Sequence, residues 1–239
     1  MHTSYSRSPL RLSLLGLLVL LGLGSQAEAQ RVVQKAAKPG AVVAKTAKLN
    51  TTAFHPASVG TSLKTSLRGK QVMVAPKAKV GEYAKAMQNS VEIMFQPNAS
   101  SYGHILVRVG GRMYDMPGPS GARRQNFTDA MRWVNSHAYG FVYARTPAQI
   151  ETLQREFEAM ANAGHGFSIA GTGPTKFSCA GFITAALRDH APDLKVGLSA
   201  GAISAARQLL RSGSHDAVTL YGSAAGEAGK ADFQFLKLQ

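Results

Sequence analysis

Apolar residues are distributed along this chain in three regimes. Leu12 to Leu23 is almost continuously apolar, residues 31–80 show no sustained period, and beyond residue 81 the apolar positions recur at helical or alternating spacing. Within that last regime Glu82 to Asn89 predicts a short helix, and Val91-Glu92-Ile93-Met94-Phe95 alternates as a strand does until Pro97-Asn98 ends it. His104 to Val109 is a β-rich run, Gly110-Gly111 signals a tight turn, and Arg112 to Met116 resumes the pattern, which predicts a β-hairpin. Phe127 to Val134 reads as a helix and Gly140 to Ala144 as a strand. Thr146-Pro147 then opens a helix, with the hydroxyl as cap and proline in the first turn, and Ile150, Leu153, Phe157 and Met160 keep a spacing of three or four. A glycine-rich loop, residues 164–173, leads into an apolar helix that begins at or just before Cys179. Ser199 to Leu210 predicts a further helix, and Ala217 to Tyr221 and Phe233 to Leu238 predict late strands. One sheet with several helices makes residues 81–239 an α+β domain.

The early apolar block has its own meaning. Arg7 and Arg11 precede it and Ala27-Glu28-Ala29 closes it, the order of charge, short apolar core and small residues found in a secretory signal peptide cut after Ala29. About twelve apolar residues fall short of the roughly 20 that span a bilayer. No cysteine follows the block, which excludes a bacterial lipoprotein anchor. Residues 1–29 are therefore expected to be a signal, and the mature protein to be exported, periplasmic or extracellular.

Charge sharpens the middle regime. The chain has 27 Lys and Arg against 13 Asp and Glu, a net charge of +14, yet ten of the cations and no acid lie in residues 31–80. From residue 81 onward fifteen cations face twelve acids. The basicity belongs to residues 30–80, whose Ala, Lys, Thr, Ser and Val composition with one aromatic, Phe54, predicts a disordered arm. Scattered lysines without interleaved aromatics do not predict specific nucleic-acid recognition. They suit non-specific attraction to anionic wall polymers or lipid head groups, with a solvated linker as the plainer reading. Asn50, Asn98 and Asn126 open glycosylation-type triplets, a pattern common by chance, and Trp133 reads as a core residue.

A single cysteine, Cys179, rules out an internal disulfide and any cysteine-cluster zinc site. At the first turn of a helix, unpaired backbone N–H groups and the helix dipole favour a thiolate, so Cys179 is a candidate nucleophile. Burial as a small apolar side chain is the competing reading. An exported unpaired thiol is open to oxidation, which argues for a task. A thiol nucleophile needs a base, and the base needs an orienting group. His104 stands at the entrance of a strong strand, a rigid support, and the hairpin returns Asp115 close to it. His137, His165, His190 and His215 read as loop or terminal residues at the surface, with His165 kept as a further candidate because its loop precedes Cys179. Arg123-Arg124 reads as a solvated loop pair, or as a receptor for a substrate carboxylate if it lies near the site.

Phe177-Ser178-Cys179-Ala180-Gly181-Phe182 resembles the cysteine motif of the NlpC/P60 superfamily of papain-like thiol hydrolases, and Gly103-His104-Ile105-Leu106-Val107-Arg108-Val109-Gly110 resembles its histidine strand. His104 precedes Cys179, the reverse of the common order, which is similar to the circularly permuted branch that includes lecithin:retinol acyltransferase-like proteins. The resemblance spans roughly Val91 to Leu187. It departs from the common pattern at Ser178, where aspartate is usual, and at Asp115, where histidine or asparagine is usual. It implies a papain-like α+β fold in permuted order, an antiparallel sheet packed against the helix that carries the cysteine. It also implies catalysis by Cys179, His104 and Asp115 without metal or cofactor. The implied substrate is a peptide or amide bond of cell-wall peptidoglycan. Acyl transfer, thioester or amide cleavage on lipid or protein, and a catalytically silent surface-binding module are the alternatives. HExxH, EF-hand, P-loop and Gly-x-Ser-x-Gly motifs are absent from the sequence.

Overall fold

The structure, a computed structural model, describes residues 55–56, 67, 70–74, 80–99, 101, 103–134, 137–171, 173–194, 196 and 201–228. The expected signal at residues 1–29, most of the expected arm at residues 30–80 and the strand expected at Phe233 to Leu238 lie outside the described residues, as does the side chain of Trp133. No described helix is long and apolar enough to cross a membrane.

The strands are β1 (His55–Pro56), β2 (Gln71–Val74), β3 (Ser90–Gln96), β4 (His104–Val109), β5 (Arg112–Asp115), β6 (Arg123–Asn126), β7 (His137–Ala144), β8 (Gly166–Phe167), β9 (Lys176–Phe177) and β10 (Ala217–Gly222). The helices are α1 (Val80–Ala86), α2 (Phe127–Val134), α3 (Pro147–Asn162), α4 (Cys179–Leu187), α5 (Ala202–Ser212) and α6 (Ser223–Glu227), with a 3-10 turn at Pro192–Leu194. Eight strands form one sheet in the order β1-β2-β10-β7-β3-β4-β5-β6, antiparallel throughout except where β2 runs parallel to β10. β8 and β9 form a separate parallel pair. The α+β class expected from the sequence is thus present.

Both faces of the sheet are covered, and the strands read accordingly. Ile105, Val107 and Val109 of β4 join Phe157 of α3, Phe182 and Ile183 of α4 and Leu209 of α5 in one cluster. Leu106 faces the other way, with Met94, Met113, Tyr83 of α1, and Phe127 and Met131 of α2. Burial on two sides turns an alternating pattern into a nearly continuous apolar one. It also leaves polar side chains on the second face with nowhere to be hydrated. Glu92 and Arg108 are wholly buried, joined by Arg108 Nε donating to Glu92 Oε2 at 2.9 Å. Tyr83 donates to both carboxylate oxygens at 3.1 and 2.9 Å, Tyr221 donates to Oε1 at 2.6 Å, and the two tyrosine hydroxyls meet each other. Arg108 also donates to the carbonyls of Met87 and Gly110 at 2.8 Å and to Ser90 Oγ at 2.8 Å. Gly140 on the neighbouring strand makes room for this network, since a Cβ there would lie 2.0 Å from Glu92 Oε1.

Three expectations are corrected here. The sheet extends into the stretch assigned to the arm: β1 and β2 precede residue 81, Met73 is fully buried, and Leu67 belongs to the core. What the local composition does not supply, β10 supplies by pairing along all four residues of β2. Arg123-Arg124 is not loop but part of edge strand β6, paired with β5. His137 opens β7 and is buried, with Nδ1 2.7 Å from Ser223 Oγ and Nε2 2.8 Å from Tyr139 Oη; His215 is buried against Phe141. His190 is exposed beside Glu156 and His165 is half-buried, edge-on to Phe177.

Candidate active site

Cys179 is the first residue of α4. Ser178 caps that helix, its Oγ accepting from the Gly181 N–H at 3.0 Å, so the backbone turns into the helix with the thiol at its entrance. The glycine-rich loop is tied to the same point. The Ser178 N–H donates to the Gly171 carbonyl at 2.7 Å, and that carbonyl lies so close to α4 that a Cβ at Gly181 would sit 2.4 Å from it. Glycine at 181 therefore lets the loop cross the helix start, and Phe167 and Ile169 of that loop line the same pocket as Cys179.

His104 stands at the start of β4, paired with Gln96 at the end of β3. Helix α4 packs on β4, which brings His104 and Cys179 to the wall of the same pocket, near enough for each to shift the other's titration. The hairpin returns Asp115 to the same end of the sheet, with Oδ2 3.5 Å from His104 Nε2. At that length, and without good alignment, Nε2 makes a charge contact and not a well-formed hydrogen bond. The carboxylate is instead held by Arg123, whose Nη2 donates to Oδ2 at 2.8 Å and Nε to Oδ1 at 3.2 Å. All three residues nominated from the sequence are brought together. Arg123, expected in a solvated loop or as a receptor for a substrate carboxylate, instead holds Asp115; its position eight residues after Asp115 across a two-stranded return is the signal that would have found this.

Charge at the site follows from these contacts. Burial acts to lower the His104 pKa, but its interactions with Asp115 and Cys179 outweigh this and raise it to about 9. Burial acts to raise the Cys179 pKa, and the bond and charge of His104, with backbone N–H groups of Ile105 and Ala180, bring it below the ordinary thiol value. Asp115 is likewise opposed by burial and lowered overall by His104 and Arg123. The opposite shifts of thiol and imidazole favour a thiolate–imidazolium pair near neutral pH.

A pocket of about 400 Å³ opens over the pair. Gln96, His104, Arg123, Ser178 and Cys179 provide its polar wall, and Ala99, Met116, Pro117, Phe167, Ile169 and Ala202 its apolar wall. Ile169 is 57% exposed at the rim. Among the described residues no group of three or more His, Cys, Asp or Glu side chains is placed to hold a metal ion.

Comparison with known protein families, with curated proteins and with solved structures returns no match to this chain. The functional reading therefore stands on the geometry and on the two sequence motifs.

Proposed function

We propose that this chain is an exported thiol hydrolase of the permuted NlpC/P60-like type, acting on amide bonds of cell-wall peptidoglycan. The observation that carries the reading is a helix-start cysteine and a strand-borne histidine on the wall of one pocket, with a buried carboxylate 3.5 Å behind the histidine. In this mechanism the Cys179 thiolate attacks the carbonyl carbon, forming a C–S bond. Backbone N–H groups at the start of α4 hold the oxyanion. With Nε2 turned to Asp115, Nδ1 is the ring nitrogen left for proton transfer. It delivers its proton to the departing amine as the C–N bond breaks. His104 then takes a proton from water, the hydroxide oxygen displaces the thiolate from the thioester, and the ion pair is restored. The basic stretch in residues 31–80 suits a polyanionic wall.

A second reading, cleavage or transfer of an acyl group on a lipid or protein, is favoured by the apolar wall and by exposed Ile169. Iodoacetamide should alkylate Cys179 at pH 7 at least tenfold faster than a small free thiol, on the order expected when most of the thiol is ionised. Equal rates would refute the nucleophile. Digestion of purified sacculi and of lipid extracts in parallel, with Cys179→Ala as control, identifies the substrate by product mass. Release of muropeptide fragments by the wild type alone supports the wall reading, and release of fatty acid alone supports the second.

A further inference from the structure

An aspartate beside the catalytic histidine poses an electrostatic problem. A carboxylate in direct contact with an imidazolium stabilises the charged ring, and a ring held too firmly in that form cannot give up its proton when the amine leaves. A neutral amide or imidazole in that place orients without adding charge. Here the carboxylate does not stand alone. Arg123 grips both oxygens with a two-point fork at 2.8 and 3.2 Å, while His104 Nε2 is kept at 3.5 Å from Oδ2 and off its hydrogen-bonding direction. Asp115 is 2% exposed, so the carboxylate is shielded from water, whereas the Arg123 side chain that grips it is 42% exposed.

We propose that Asp115 and Arg123 work as a single electroneutral orienting unit, in which Arg123 is a positioning residue that keeps the carboxylate from locking His104 in its protonated form. The inference rests on the thiol-hydrolase reading and adds a residue to it. Among the described residues no other charged group is placed to do this. Cys179 from α4 and Asp115 from β5 are the titratable groups that act on His104, and Arg123 from β6 acts on Asp115. β3 presents uncharged Gln96 opposite the ring, and at this end of the pocket α5 contributes Ala202.

The test is a double-mutant cycle read in two ways, by the pH midpoint of the His104 ring in an NMR titration and by the iodoacetamide rate at pH 7. Arg123→Gln leaves the bare carboxylate beside the ring, and the His104 midpoint rises by about one pH unit. Asp115→Asn removes the carboxylate but keeps the guanidinium charge, the midpoint falls by a similar amount, and alkylation slows by about tenfold as the thiolate loses its imidazolium partner. Combining Asp115→Asn with Arg123→Gln restores neutrality, brings the midpoint back towards the wild type and recovers most of the alkylation rate. A double variant no better than Asp115→Asn, or an Arg123→Gln midpoint that coincides with the wild type, overturns the proposal. Should Arg123→Gln not fold, Asp115→Asn against the double variant carries the test, because neither contains an unpaired carboxylate. Slow alkylation of the wild-type protein would instead sink the hydrolase reading itself, so the two failures are distinguishable.

Discussion

Replacing Gly140 by alanine tests the packing of the second sheet face. The added Cβ would meet Glu92 Oε1 at 2.0 Å, Cδ at 2.8 Å and Cγ at 3.0 Å. An exposed glutamate would swing aside at little cost. Glu92 is gripped by Tyr83, Tyr221 and Arg108 and has no exposed surface, so moving it breaks several charge-assisted bonds at once and leaves a buried guanidinium without its counter-charge. Disrupting one side of a buried ion pair typically costs about 3–5 kcal/mol. Set against a total stability of about 5–15 kcal/mol, Gly140→Ala is expected to lower Tm by roughly 10 °C or more. Urea titration followed by circular dichroism, with an unchanged m-value, gives the free energy directly. Adding Glu92→Met and Arg108→Met to the alanine variant removes both the collision and the stranded charge, and should recover much of the loss. A destabilisation of Gly140→Ala below about 1 kcal/mol would show that the carboxylate is not locked, and the account of this face would be wrong.

The remaining predictions concern acid and base. His104 has its folded pKa raised from 6.5 to about 9, so its contribution to stability is complete below pH 6.5 and is lost as pH rises through about 9; chemical denaturation across that window should show the gap between wild type and His104→Gln closing. Asp115 is lowered below 3.8, so its contribution is present above that value and disappears as pH falls through the folded pKa; the stability difference between wild type and Asp115→Asn should shrink below pH 4. His215 is buried and lowered to about 4, chiefly by burial and then by Lys70, so the unfolded chain binds its proton first as pH drops from 6.5. His215→Leu should flatten the acid loss of stability between pH 6.5 and 4, and an unaltered acid profile would contradict the burial argument.

Much of the site could be read before the fold was known because its parts are local. Gly110-Gly111 fixes the β4–β5 return, Thr146 with Gln149 forms a capping box at α3, and Ser178 caps the helix that begins at Cys179. Each is a short-range arrangement whose geometry is written in neighbouring residues. What was not legible depends on distant partners. Arg123-Arg124-Gln125-Asn126 is polar throughout and becomes a strand because β5 offers its edge. His137 is drawn inside by Tyr139 and Ser223, and His215 by the sheet beneath it. Charge on Arg123 was visible in the sequence, but its object, Asp115, was not.

The placement of β2 also bears on how the sheet closes. β2 comes early in the chain and β10 late, yet they are neighbours, Gln71 pairing with Ala217 across a separation of roughly 145 residues. β7 cannot cover its outer edge, and β2 can find only the two-residue β1, until the chain has been synthesised through β10. Contacts of such long range are slow to form, so the open edge of β7 is the surface that needs protection while the polypeptide is still incomplete.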